Sequence, residues 1–511
     1  MGRKLHNAIL DEIQKAKYYA IIVDSTPDLS HVDQLCVVFR YCQCGEVLER
    51  FLCFVPVQSH TGKSLRDTVL AILEDNNIEI SNCRGQTYDN AKNMSGQYEG
   101  LQAHVKGINK YALFVPCAAH SLNLVGQNSV DECLQAVKFF RFLESLYAFF
   151  ANSTRRWAVL EEKIRISEGP ERHVAPVKSL SQTRWSSREE ATKALLHYYS
   201  GIFDTLSAIA NDTNEKCGTK LEAVSLVKKM QTLELAFMTV FWHKILERFD
   251  SVSKHLQKPG LDVISGKNLL VSLVDYVAKL RECFDDMEEE SKNLSPHVLQ
   301  VYSDETWNAR PCARLFPDGK DELRATGRDR FRIETFNFII DKLKVELERR
   351  STAYGEVASV FGVLTKLDSL EVDLKREAEA LIQAYPRDLE PALYSELEHF
   401  RSYIQHSSLV DCEKTAPMLL KMLYAARDLV DVFPNVSIAL RLYLTLPISN
   451  CEGERSFSKL SHIKSKLRSA MLQPRLNSLA LMSIEHDLLK KISFEDVISE
   501  FAAAKARKRA F

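Results

Sequence analysis

No apolar run in this 511-residue chain approaches the roughly 18 residues that span a bilayer. That excludes a membrane-spanning helix, and no membrane role is expected. The first twenty residues, MGRKLHNAILDEIQKAKYYA, mix charge with apolar positions at helical spacing. They therefore lack the continuous apolar stretch of a secretory signal, and an intracellular chain is the expectation. Neither sign of charge is in excess: the formal net charge is −1. With no global field to draw it to nucleic acid, DNA contact has to come from local basic patches. There is no repeating cysteine spacing, although twelve cysteines are present. In a chain this long that argues against a disulfide framework and for reduced, partly buried thiols. Internal repeats and low-complexity blocks are also missing. What remains is a globular composition, 45% hydrophobic and 26% charged, in a chain long enough for about two to four packed units.

Residues 18–57 read as three strands, YYAIIVD, DQLCVVFRYC and EVLERFLCFVPVQ, with turn chemistry at Thr26-Pro27-Asp28 and at Cys44-Gly45. The second and third form a hairpin. A helix follows over 64–75, because Leu65, Val69, Leu70 and Leu73 recur at spacings of three and four. GQTYD offers a fourth strand, LQAHVKGI a short helix, 112–117 a fifth strand, and AHSLNLVGQ a further helix. This order is that of a ribonuclease H-like α/β core, in which the first and fourth strands are parallel neighbours. From about residue 130 the pattern changes to long amphipathic helices. Polar breaks at 167–185 and 303–330 interrupt them, the second expected to be an exposed, mobile loop.

Asp24 ends one apolar run and Asp89 another, so the strand order places both at adjacent C-terminal strand ends, where open α/β sheets hold ligands. Aspartate after a strand is also an ordinary turn residue. As a pair followed by small polar residues, the two suit a hard, oxygen-bound cation, Mg²⁺ or Mn²⁺ rather than zinc. Late in the chain, Ser449 and Glu452 fit a capping box, so a helix starts near Asn450. Glu454, Phe457 and Leu460 recur on it every three residues, which turns Glu454 toward the packed face. Three carboxylates, two at strand ends and one from far away, are what two-metal phosphoryl transfer requires.

Several segments together resemble hAT-family DNA transposases of the zinc-finger MYM-type-like kind, with a hAT C-terminal dimerisation region. They are VDST at Asp24, TYDNAKNMSG at Asp89, PCAAHSLNL at Cys117 and His120, TRWSS at Trp185, and ERSFSKL followed by LRSAMLQPRLNSLALMSIE. The resemblance implies a core at 1–150, a large helical insertion at 151–435, and C-terminal helices at 436–511 that return to the core and carry the dimerisation region. It implies that Asp24, Asp89 and Glu454 bind two divalent metals for DNA cleavage and strand transfer. His120 becomes an auxiliary residue near that site, although CxxH with Cys42 and Cys44 matches no standard zinc pattern. Trp185 becomes a base-stacking residue with Arg184 on a neighbouring phosphate, against its plainer reading as a packing residue.

Lys464, Lys466 and Arg468 form a basic cluster for DNA or a solvated helix face, and 505–509 is a basic tail or short nuclear-localisation signal. The apolar set Leu476, Leu479, Leu481, Ile484 and Leu488 buries against its own chain or against a second subunit, and the resemblance favours a homodimer or higher homo-oligomer. Family relatives usually carry a zinc-binding DNA-recognition module before the first strand, where about 17 residues stand here. The expectations are therefore a nuclear, DNA-acting transposase core without a small-molecule substrate, or a catalytically silent, host-recruited nuclear protein that acts by dimerisation in transcriptional or chromatin regulation. A general ribonuclease H-like nuclease acting on RNA is a third.

Overall fold

The computed structural model describes residues 1–168, 177–181, 185–303, 306–308, 324–367, 373–406, 414–425 and 428–503. The chain is mostly helical, with one five-stranded mixed sheet near its beginning. It divides into two compact units, one of residues 1–121, 256–268 and 351–511, the other of 122–255 and 269–350.

The sheet lies in the first unit: β1 (Tyr19–Pro27), β2 (Asp33–Gln43), β3 (Glu46–Val57), β4 (Cys83–Thr87) and β5 (Leu113–Phe114), in the order β3-β2-β1-β4-β5. The first three strands pair antiparallel, and β4 lies parallel to β1 and β5. β2 is buried along nearly its whole length, which explains its near-continuous apolar sequence. Cys44 and Gly45 both have positive φ (48° and 82°) and join β2 to β3 through a two-residue loop, the geometry that follows the right-handed strand twist. The other expected turn shifts. β1 runs on through Thr26 and Pro27, and the reversal falls at 28–32, where Asp28 N–H donates to the Val32 carbonyl. β5 is shorter than the expected 112–117: beyond Phe114 the Val115 carbonyl accepts from the Thr87 hydroxyl at 2.7 Å, although Val115 and Cys117 N–H still donate to the Gln86 and Tyr88 carbonyls.

Helices cover this sheet. Gly2–Ala16 buries Leu5, Ile9 and Ile13 on one face, and Gly62–Asp75, capped by Thr61, buries Leu65, Val69, Ile72 and Leu73. Leu460, Leu476, Leu481 and Leu488 from the end of the chain join the same core as β1–β3. The leucine-rich segment thus spends its apolar face on its own sheet. The connection is also polar: Glu485 accepts from Phe51 N–H at 2.7 Å and from Arg50 at 2.8 Å. The helices at 355–425 belong to the sheet-bearing unit rather than to the expected insertion at 151–435. Arg84 and Asp388 hold them there through a buried ion pair at 2.7 Å.

The second unit is a helical assembly around aromatic side chains, among them Phe139, Phe140, Phe237, Phe241, Trp242 and Phe336. It also contains a short antiparallel pair, Thr306–Asn308 with Arg324–Thr326, that the sequence reading missed. Most of the loop expected at 303–330, part of the first break, Arg184 and the basic tail lie outside the described residues. No helix among the described residues is long and apolar enough to cross a membrane.

Candidate functional site

The site begins with strand register. In the parallel β1/β4 ladder Ile22 lies opposite Thr87, and Asp24 and Asp89 each follow two residues later. Side chains alternate along a strand with period two, so the spacing keeps the aspartates in step past the last paired rung. Asp24 accepts from Ser25 N–H at 2.9 Å, and Asp89 from Ala91 N–H at 3.2 Å. Both residues are half-buried.

A third wall comes from the helix Cys451–Ile463. Its approach is fixed by the segment before it: Thr87 Oγ1 also meets the Pro447 carbonyl at 3.0 Å, and Ala118 N–H donates to the Ile448 carbonyl at 2.9 Å. Cys117 donates its thiol to Asn450 Oδ1 at 2.9 Å and accepts from the Asn450 and His120 N–H groups, both at 3.4 Å. The helix then starts at Cys451 as expected, but without the capping box. Asn450 makes no side-chain cap, and the Glu452 carboxylate binds Arg455 at 2.5 Å. Gly453 comes so close to β1 that a Cβ added there would stand 3.3 Å from Asp24 Cβ. A glycine inside a helix costs propensity, and this contact is its structural return. It was a readable signal in ERSFS's preceding residue that the sequence reading passed over.

Glu454, next to that glycine, is half-buried. Its charge and that of Asp89 reach Asp24. Burial first, then Asp89, then Glu454 push the Asp24 carboxyl up to about 8, against the opposing Ser25 N–H. Three acids crowded so that one retains its proton form a surplus of negative charge that a cation would relieve, and an all-oxygen donor set suits Mg²⁺ or Mn²⁺. The crowding stops short of a closed cage: among the described residues no three His, Cys, Asp or Glu side chains stand together as a ready metal site. His120 lies in the first turn of the helix Ala118–Asp131, beside the Cys117 junction.

Cys117 and Cys451 are buried with Ala119 in a small apolar cluster, and burial raises both thiols, Cys451 to about 12. A buried thiol engaged with Asn450 acts as a structural element of this junction.

Two sequence expectations are corrected. Lys464 does not face DNA: it is buried in an ion pair with Asp28 at 2.5 Å, while Lys466 and Arg468 are exposed. Trp185 is a packing residue. It is 9% exposed, contacts Phe140 and Trp242, and lies so tightly on Gly126 that a Cβ there would come within 2.5 Å of its ring. Its indole face is taken by Arg188 rather than left for a base.

Comparison with known proteins bears on both ends of the site. Residues 1–100, which include Asp24 and Asp89, match a domain model described as ZMYM1/FAM200, RNase-like domain. Residues 401–488, which include Glu454, match the hAT family C-terminal dimerisation region. The chain is also similar to a protein named 52 kDa repressor of the inhibitor of the protein kinase. It is 23% identical to the mouse (Mus musculus) protein over 499 residues and 22% identical to the human (Homo sapiens) one over 498. In both cases 94% of this chain is covered, and the chain spans about 63% of the relative's length. An RNase-like match thus carries the two aspartates and a hAT match carries the glutamate, so at both ends of the site the chain is similar to hAT-family transposase-like proteins.

Proposed function

We propose that this protein cleaves and rejoins DNA phosphodiester bonds through Asp24, Asp89 and Glu454, as a nuclear, transposase-derived homodimer or higher homo-oligomer. What supports the reading is the register of Asp24 on β1 with Asp89 after β4, and the place of Glu454 beside the glycine that rests on Asp24; both other charges raise the Asp24 carboxyl. Asp24, Asp89 and Glu454 would hold Mg²⁺ or Mn²⁺, two ions in all, which supply charge neutralisation for the attacking and leaving oxygens of an in-line displacement. The residues' own part is to fix that place. β1 and β4 set the aspartates, the Cys117–Asn450 junction sets the start of the glutamate helix, and Gly453 permits the close approach. A proton on the raised Asp24 carboxyl would limit mutual repulsion of the acids, and a bound cation would relieve the same repulsion. Purified protein with a nicked or hairpin-forming DNA end and Mn²⁺ is expected to cleave or join strands, and Asp89→Asn to abolish this. Equal activity in that variant would remove the three acids from the reaction.

A second reading is a host-recruited nuclear regulator that has kept the fold without the chemistry. The relatives' printed name, a repressor, favours it. Loss of reporter repression in an oligomer-breaking variant, together with unchanged repression by Asp89→Asn, would distinguish this role from the first.

A further inference from the structure

In the sheet-bearing unit, a cavity of about 500 Å³ shares no residue with the acid site. Its volume falls in the range of small-molecule sites. Lys267, Lys366 and Lys414 line it, against a single acid among the described residues, Asp262. Asp262 does not balance Lys267 and Lys366. It is 4% exposed and accepts from Ser265 N–H at 2.9 Å, from Ser265 Oγ at 2.7 Å and from the Tyr443 hydroxyl, so it serves as a buried cap and anchor. Lys267 and Lys366 have no ion pair or side-chain hydrogen bond among the described residues. Lys267 and Lys366 therefore leave positive charge in the cavity that no carboxylate among the described residues pairs.

Two further features point the same way. The ten-residue helix Ala416–Ala425 begins at the wall, where Thr415 and Ala416 line the space, so the positive end of its dipole adds to the lysine charge. The opposing helix Gly355–Thr365 brings its negative end to the same cavity, but Lys366 stands directly at that terminus and offsets it. Lysines are compact point-charge donors that suit phosphate. Among the described residues the wall has no arginine fork for a flat carboxylate.

We propose that this cavity binds a small phosphorylated ligand, held by Lys267 and Lys366 with the start of the Ala416–Ala425 helix. Pyrophosphate is the probe, titrated calorimetrically into the full chain at constant ionic strength with sulfate as the control anion. Saturable binding of pyrophosphate, at least about tenfold tighter than sulfate, is expected, and the Lys267→Gln/Lys366→Gln double variant is expected to weaken it by tenfold or more. Gly362 also lines the cavity, and a Cβ there meets nothing within 4 Å. Gly362→Glu therefore introduces an opposing charge without a clash and is expected to weaken binding as much, while Gly362→Ala binds like the natural chain. No saturable binding at millimolar pyrophosphate, or equal affinity in the folded Gly362→Glu variant, overturns the proposal. Duplex DNA that binds here in place of pyrophosphate, losing affinity in Gly362→Glu, overturns it as well.

Discussion

Lys464 Nζ and the Asp28 carboxylate meet at 2.5 Å with their side chains 6% and 1% exposed. The pair ties the C-terminal end of the Glu454 helix to the turn between β1 and β2. Asp28 is further held by Ser30 N–H at 2.7 Å and Gln34 Nε2 at 3.0 Å. Burial pushes its carboxyl up, but the Lys464 contact and these hydrogen bonds outweigh it and hold the group below the ordinary aspartate range.

Removing one partner of this pair strands the other. Lys464→Met is expected to lower the unfolding free energy by about 3–5 kcal/mol, and Asp28→Asn with Lys464→Met to recover part of it. The depressed carboxyl contributes stability above the ordinary value of 3.8 and loses it as pH falls through the folded value. Urea unfolding at pH 7 and pH 3 checks both, with the difference between natural chain and Lys464→Met shrinking in acid.

Asp24 has the opposite sign. Its carboxyl is raised from 3.8 to about 8, so the folded chain keeps a proton that the unfolded chain gives up, and stability falls as pH rises across that window. Asp24→Asn is expected to remove this slope and raise the urea midpoint at pH 8 more than at pH 5. Mn²⁺ should raise the melting temperature of the natural chain by several degrees and leave that of Asp24→Asn unchanged.

Thiol labelling tests the Cys117–Asn450 junction. Cys44 and Cys217 are exposed, whereas Cys117 and Cys451 are buried. Iodoacetamide at pH 8 is expected to modify the first two in the folded chain and the second two only in urea. Prompt modification of Cys117 would show that the junction is open.

Trp185 separates packing from base stacking. Trp185→Ala is expected to cost about 3–5 kcal/mol of stability by the cavity it leaves between Phe140, Trp242 and Gly126. DNA affinity of a folded Trp185→Leu variant should stay within about twofold of the natural chain, whereas loss of a stacking partner costs about 1–3 kcal/mol.

Oligomerisation is better tested by point changes than by truncation. Ending the chain near Pro447 would strip Leu460, Leu476, Leu481 and Leu488 from the sheet's core. Leu467 and Leu472, by contrast, are 97% and 77% exposed within the matched dimerisation region. Leu467→Glu with Leu472→Glu is expected to shift sedimentation from oligomer to monomer without loss of helicity. An unchanged sedimentation coefficient would place the oligomer surface elsewhere.

Local pattern was a good guide wherever a side chain's role depends on its near neighbours. Alternation and turn chemistry located β1, β2, β3 and the Cys44-Gly45 hairpin, and spacing located the helix Leu101–Ile108 to the residue. Strand ends were less legible, because β4 and β5 stop where the Thr87 hydroxyl turns to the Val115 carbonyl. Basic residues misled, since charge alone does not distinguish Lys464, paired and buried, from exposed Lys466.

By itself, then, the amino-acid order determined most of the segments that become strands and helices, because periodicity and turn preference are properties of neighbouring residues. Only the tertiary structure decided that Gly453 leans on Asp24, that Cys117 is occupied by Asn450, that Asp28 consumes Lys464 and that Trp185 is walled in. Each of those contacts joins residues distant along the chain, and burial, which sets their protonation and accessibility, exists only once the layers have packed.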